Sequence, residues 1–290
     1  MAAAKSTAQP KNTARLLLFF VFLTFGAIIG QTWWSVIEDR ELTLNTERKN
    51  ALTAVRLLEE HAAQTLRDAD RNLDNVVNAI DIASGGREIN EAFLHEIINT
   101  GKKDNRYLNA LQFTTPKGES LVSSLEYPAH QVDLPDRPYI PYLLSHRTVK
   151  NTVVGHAFMR YYDRKLVVPL ARNIINKEGK FVGIISIDIS VTYFSDVYAR
   201  IASGGKALVA LFSDEGFVIV RSPFDERFLS MDISKSPAMA NWSKKPEEGT
   251  FEDSHFLGDK ASTPRLYSYR KIPSFGVTAV FARDIDAILR

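Results

Sequence analysis

The chain has 290 residues, 36 Lys and Arg against 34 Asp and Glu, and no cysteine. A net charge of +2 with no long basic run argues against a nucleic-acid surface, and the missing thiols exclude disulfides, thiolate metal sites and a cysteine nucleophile. An apolar share of 45% is that of an ordinary globular protein with a core to bury.

Residues 1–15 form a short basic head carrying Lys5, Lys11 and Arg15. From Leu16 to Ile37 no charge occurs, and the stretch supplies the roughly 20 apolar residues that a bilayer-spanning helix needs. A cleaved signal peptide has a shorter apolar core and a small-residue cleavage site. The exit here reads Gln31-Thr32-Trp33-Trp34, and indole rings suit a membrane interface. Basic residues before the stretch, with Glu38 and Asp39 after it, predict a cytoplasmic N-terminus in the inner membrane and a periplasmic or extracellular remainder.

Residues 38–83 lack proline and glycine. Ala51, Val55, Leu58, Ala62, Leu66, Ala69, Leu73, Val76 and Ile80 recur at spacings of three and four, one apolar stripe on a long stalk helix. The distal half of this stripe is expected to pack on the chain's own domain, and the proximal half to meet a second copy as a coiled-coil-like seam, giving a homodimer. Ser84-Gly85-Gly86 closes the helix, and Glu91 to Ile98 reads as a second, short one.

The period then changes. Tyr107 to Thr114 and Glu119 to Ser123 read as strands around Thr115-Pro116-Lys117-Gly118. A region with Pro128, Pro135, Pro138 and Pro141 reads as loop. Val153 to Phe158, Lys165 to Ile175 and Lys180 to Ser190 read as further strands, and Thr192 to Ile201 as a helix burying Phe194, Val197, Tyr198 and Ile201. The pattern restarts at Ala207 to Ser213 and Phe217 to Arg221 around Asp214-Glu215-Gly216. Both openings run an apolar strand through a phenylalanine (Phe113, Phe212) into a polar turn closed by glycine, a weak internal repeat. A polar helical region from Ser234 to Trp242 and strands near Gly249 to Phe256, Arg265 to Lys271 and Gly276 to Arg283 complete the second unit. Residues 284–290 begin a helix. The fold class is α+β: a transmembrane helix (16–37), a stalk helix (38–83), then a distal unit (84–202) and a proximal unit (203–283), each on a small antiparallel sheet.

This order of elements resembles the double Cache, tandem PAS-like, sensor domain of bacterial transmembrane receptors. The resemblance rests on the outward helix, Asp136-Arg137-Pro138-Tyr139, the run Gly179-Lys180-Phe181-Val182-Gly183-Ile184-Ile185-Ser186-Ile187-Asp188-Ile189-Ser190, Asp214-Glu215-Gly216, and Leu266-Tyr267-Ser268-Tyr269-Arg270-Lys271-Ile272-Pro273. It is nearest in character to the N-terminal sensors of diguanylate cyclases and sensor histidine kinases. It implies a small ligand, an amino acid, a carboxylate or similar, held in the distal unit. Arg137 and Tyr139 stand where the family holds a carboxylate, and Asp188 where it holds an amine. Tyr161 and Asp163 stand for a further tyrosine–acid pair.

The residues themselves carry part of this. Arg137 can fork onto a carboxylate or pair with Asp133 or Asp136. Tyr139 and Tyr142 can stack on a ligand or pack a loop. Asp188 lies in an otherwise apolar strand and needs a partner, a ligand amine, Arg160 or Arg172. His146 and His156 are candidates to line the same pocket. The 6 histidines show no metal-ligand spacing, and no nucleotide-binding, serine-hydrolase or zinc-protease motif occurs. The expectation is therefore a sensor without cofactor, metal or catalytic residues, whose ligand site comprises Arg137, Tyr139, Tyr142, His146, Tyr161, Asp163, Arg172 and Asp188. Its output domain, a diguanylate cyclase or a histidine kinase, would follow a further membrane span. The alternatives are a stand-alone anchored binding or accessory protein, and an extracytoplasmic enzyme with an unrecognised site.

Overall fold

The computed structural model describes residues 11–84, 90–102, 106–129, 137, 139–160, 163–202, 207–228, 231–236, 239, 240, 242, 246–254 and 263–289. The helix α1 covers Lys11–Ser84 without a break. Its first part holds the one window, among the described residues, that is long and apolar enough to cross a membrane, with a mean hydropathy of 1.9. Side chains there, such as Phe22 and Trp33, are exposed. Thr24 and Thr32 turn their hydroxyls back onto the carbonyls of Phe20 and Ile28, at 3.0 and 2.8 Å, so each has a backbone acceptor.

From residue 48 onward α1 belongs to a second compact unit with everything that follows it. Every residue of the predicted stripe from Ala51 to Ile80 is buried, and all nine lie in one core cluster. This corrects the expected division of the stripe. Ala51, Val55 and Leu58 pack on the chain's own core and offer no seam to a second copy, whereas Leu42 and Leu57 face outward. The helix α2 (Glu91–Lys102) adds Leu94 and Ile98 to the same core.

The first sheet is built from β1 (Leu108–Thr114), β2 (Ser120–Ser123), β3 (Val153–Val154), β4 (Phe158–Met159), β5 (Leu166–Ile175) and β6 (Phe181–Ser190). Its order is β2-β1-β6-β5-β3, with β4 also pairing β5. The second sheet contains β7 (Ala207–Ser213), β8 (Val218–Ser222), β9 (Glu248–Asp253), β10 (Arg265–Ile272) and β11 (Val277–Asp284), in the order β8-β7-β11-β10-β9. Numbered within each unit, with β3 and β4 counted as one interrupted strand on β5, both sheets follow one plan, 2-1-5-4-3. All pairings are antiparallel.

The internal repeat therefore holds at the level of topology, but not through the two phenylalanines. Phe113 faces the α1 core, while Phe212 lies in the separate cluster on the far face of the second sheet. The turns supply the true register. Gly118 N donates to Thr115 O and Gly216 N to Ser213 O, each at 2.9 Å. Thr115 thus corresponds to Ser213 and Phe113 to Leu211.

Two other readings change. The proline-rich stretch contains a helix, α3 (Tyr139–Ser145). Pro141 lies in its first turn, where a missing N–H breaks no helical bond. The predicted strand Val153 to Phe158 is two short pieces, β3 and β4, separated by residues 155–157. The helix α4 (Val191–Ile201) follows β6 directly, with Ser190 as N-cap, its Oγ accepting from Tyr193 N at 3.4 Å. Ser190→Ala is expected to lower stability by about 0.5–1 kcal/mol through loss of that cap, read as a shifted urea midpoint with an unchanged slope. A single helical turn, Ile285–Ile288, follows β11.

Candidate functional site

Strand β6 lies between β1 and β5 and has two unlike faces. Ile185, Ile187 and Ile189 enter the core with α1, and alternation sends Ile184, Ser186 and Asp188 the other way. On that second face Gln112 of β1 lies opposite Ser186, and Ala110 opposite Asp188. Residue Arg137 and helix α3 cover it, with Ile140 N donating to Arg137 O at 2.9 Å.

The first half of the resulting cluster centres on Arg137, only 2% exposed. Its Nη1 donates to Gln112 Oε1 and, at 3.3 Å, to Tyr139 Oη. The guanidinium carbon lies 5.2 Å from the centre of the Phe158 ring. Tyr139 Oη donates in turn to Ser186 Oγ at 3.4 Å, and Gln112 Nε2 to Ser120 Oγ at 2.7 Å. Burial pushes the Tyr139 phenol above its ordinary value, opposed by the nearby Arg137 charge, so it stays a neutral donor at physiological pH.

The second half centres on Arg160, 1% exposed. Its Nη1 donates to Asp188 Oδ2 at 3.1 Å, its Nε to Asp163 Oδ1 at 3.1 Å, and its Nη2 to Asp163 Oδ2 at 2.6 Å and to Asn109 Oδ1. A buried guanidinium needs such partners. Asp188 itself is 2% exposed. Its second oxygen, Oδ1, is buried and accepts no hydrogen bond among the described residues. A bare carboxylate oxygen away from water is costly, so this atom is an acceptor awaiting a donor. Ser186 and Asp188 are two residues apart on one strand, about 7 Å at the usual rise. The cluster therefore sets a cation, Arg137, against Ser186 by way of Tyr139, and a carboxylate, Asp188, two residues further along the same strand.

The structure brings Arg137, Tyr139, Asp163 and Asp188 together. It does not bring Tyr142, His146 or Arg172 there. Tyr142 is 44% exposed and stacks on His146 with ring centres 4.4 Å apart, while His146 Nδ1 lies 2.9 Å from Tyr142 O, on the outer side of α3. Arg172 has the parity of Leu170 and Ile174, so it faces α1 and pairs with Asp74, and with Asp70 at 3.9 Å. Tyr161 lies outside the described residues. Of the partners open to Asp188, the structure selects Arg160. Asn109 and Gln112 were missed, although each is a polar residue in an apolar strand, the same signal that marks Asp188.

The matching face of the second sheet is different. By the turn register, Gln112, Ser186 and Asp188 correspond to Ala210, Val280 and Ala282. Those three pack in a cluster with Trp242, which is 1% exposed and lies 5.6 Å from Phe212 and 6.3 Å from Tyr269, ring centre to ring centre. Among the described residues no group of His, Asp and Glu is arranged to hold a metal ion.

Many solved structures share this architecture, and three of them illustrate it. The extracellular domain of rpHK1S-Z16, assigned as a histidine kinase, matches at 20% identity with a TM-score of 0.71, covering 85% of this chain and 98% of that one. The ligand-binding domain of the Campylobacter jejuni chemoreceptor Tlp3, solved with L-norvaline, matches at 15% identity, TM-score 0.58, covering 85% and 94%. The ligand-binding domain of Mlp24, solved with asparagine, matches at 14% identity, TM-score 0.58, covering 88% and 98%. No curated protein matches the chain. The Cache domain family model matches residues 40–290, nearly everything beyond the apolar segment, and the chain belongs to the Cache domain family.

Proposed function

We propose that this chain is the extracytoplasmic sensor region of a membrane-anchored signalling receptor, and that the cluster around Asp188 binds a small zwitterion, an amino acid in the first instance. The observation that carries the reading is the buried, unpartnered Oδ1 of Asp188, about two residues along the strand from the Arg137–Tyr139–Ser186 network. The ligand ammonium donates to Asp188 Oδ1, and its carboxylate docks at Arg137. Binding is the whole task of this site, with no catalytic step. The contrasting apolar face of the second sheet supports a single ligand site, in the first unit. The apolar segment from Leu16 anchors the chain, with its basic flank in the cytoplasm, and a histidine kinase or diguanylate cyclase module reads the signal. A homodimer through outward positions of α1 such as Leu57 belongs to the same reading.

The test is a thermal-shift screen of the full chain in detergent micelles against the standard L-amino acids, simple carboxylates and simple amines. A ligand present at a hundredfold its Kd stabilises the native state by about 2.7 kcal/mol, enough to move the midpoint by several degrees. At least one amino acid is expected to raise the midpoint, and Asp188→Asn and Arg137→Gln are each expected to weaken binding by roughly tenfold or more, the effect of one charge-assisted hydrogen bond. Binding unaffected by either substitution would refute the site. A response to carboxylates or amines alone would refute the zwitterion.

A further inference from the structure

Residues 155–160 touch both sheets at once. Phe158 lies under the Arg137 guanidinium at 5.2 Å, and Arg160 holds Asp188 at 3.1 Å. Toward the second sheet, the His156 ring stacks on Phe217 with centres 3.7 Å apart and planes at 29°, and its Nε2 lies 3.6 Å from Glu215 Oε2. Phe217 closes the β7–β8 turn, its N–H donating to Ser213 Oγ at 3.0 Å. Between these contacts Ala157, with Leu166, Val191, Val218 and Val220, lines a cavity of about 20 Å³.

We propose that residues 155–160 form a strap that carries occupancy of the Asp188 site to the β7–β8 turn, with His156 as the link. The inference rests on the reading of the Asp188 cluster as the ligand site and assigns that site its mechanical output. An incoming ammonium on Asp188 Oδ1 draws on the same carboxylate that Arg160 holds through Oδ2, weakens that hold and so shifts the end of the strap. Three residues separate His156 from Arg160, four steps or at most about 14 Å of extended chain, which leaves little slack to absorb a displacement. Close-packed interiors resist small shifts, and the cavity beside Ala157 removes part of that resistance where the strap has to move. The ring stack then transmits the shift, because Phe217 is fixed to the turn by its backbone bond. The strap is thus a packed element whose position both the site and the turn bias, which is what coupling between two places requires.

The test needs no identified ligand and so fails separately from the zwitterion reading. Hydrogen exchange is measured on the full chain in detergent micelles, with the site perturbed by Asp188→Asn or, as a charge-neutral alternative, by Asn109→Ala, which removes an acceptor of Arg160 without touching the strap. Either perturbation is expected to speed exchange of the Gly216, Phe217 and Val218 amides by roughly threefold or more, and His156→Ala is expected to abolish that response. A response to either perturbation that vanishes with His156→Ala sustains the strap. No response to both, or a response that survives His156→Ala, overturns it.

Discussion

Arg160→Met is expected to lower folding stability by about 3–5 kcal/mol, the usual cost of breaking a buried ion pair from one side. In the native structure Asp188 has one oxygen on Arg160 and the other without a partner, and it is 2% exposed. Methionine fills much of the arginine stem's volume but donates nothing, so neither oxygen of the buried carboxyl group is served by a donor. Asp163 is less affected, since its side chain is 23% exposed and water can replace the guanidinium. Adding Asp188→Leu to Arg160→Met is expected to recover more than half of the loss, because removing both charges leaves no stranded group. Urea unfolding of the full chain in micelles, followed by circular dichroism, reads both values. A single-variant loss below about 1 kcal/mol, the range of exposed ion pairs, would show that the cluster is solvated.

Gly183→Ala is expected to cost about 2–4 kcal/mol, combining backbone strain with overpacking. Gly183 lies in β6 at φ +156°, and a Cβ there would meet Thr114 O at 2.5 Å and Phe113 Cζ at 2.7 Å. The phenylalanine ring can swing aside. The carbonyl oxygen cannot, because Thr114 is paired with Ile184 in the ladder and moving it shifts β1 against β6. Since Gln112 on β1 and Ser186 and Asp188 on β6 are held in register by that ladder, the same substitution is expected to weaken ligand binding as well as stability. Matched unfolding and thermal-shift series on the variant check both effects, and an unchanged urea midpoint would sink the steric argument.

The parts of the fold that could be read from the sequence were those set by period and by turns. The α1 stripe is buried residue by residue because a spacing of three and four leaves a long helix one apolar face. Its partner was not legible, since a stripe that packs on its own sheets and one that pairs with a second copy have the same pattern. The helix α3 was hidden by proline, which breaks a helix interior but not its first turn. In the site, Asp188 announced itself as a lone charge in an apolar strand, but choosing between Arg160 and Arg172 needed the far end of each side chain. Strand parity already placed Arg172 with Leu170 and Ile174, on the face toward α1. Arg160 follows the short β4, where no alternation fixes its direction, and only the fold shows it folding back over Asp188. Tyr142 and His146 had the right composition for a pocket lining, but a helical turn points them outward together.

The shared 2-1-5-4-3 plan sets two different rules for natural variation within one chain. In the first unit, on the proposed reading of the Asp188 cluster as the ligand site, a change at Gln112, Ser186 or Asp188 alters recognition, and a new ligand preference requires several of the charged neighbours to change in concert. In the second unit the corresponding Ala210, Val280 and Ala282 answer to the packing of an apolar cluster that includes the Trp242 indole. A mutational scan of this protein would therefore sort the two copies of one architecture into opposite classes: tolerant of volume but strict about charge in the first, and indifferent to recognition but strict about volume in the second.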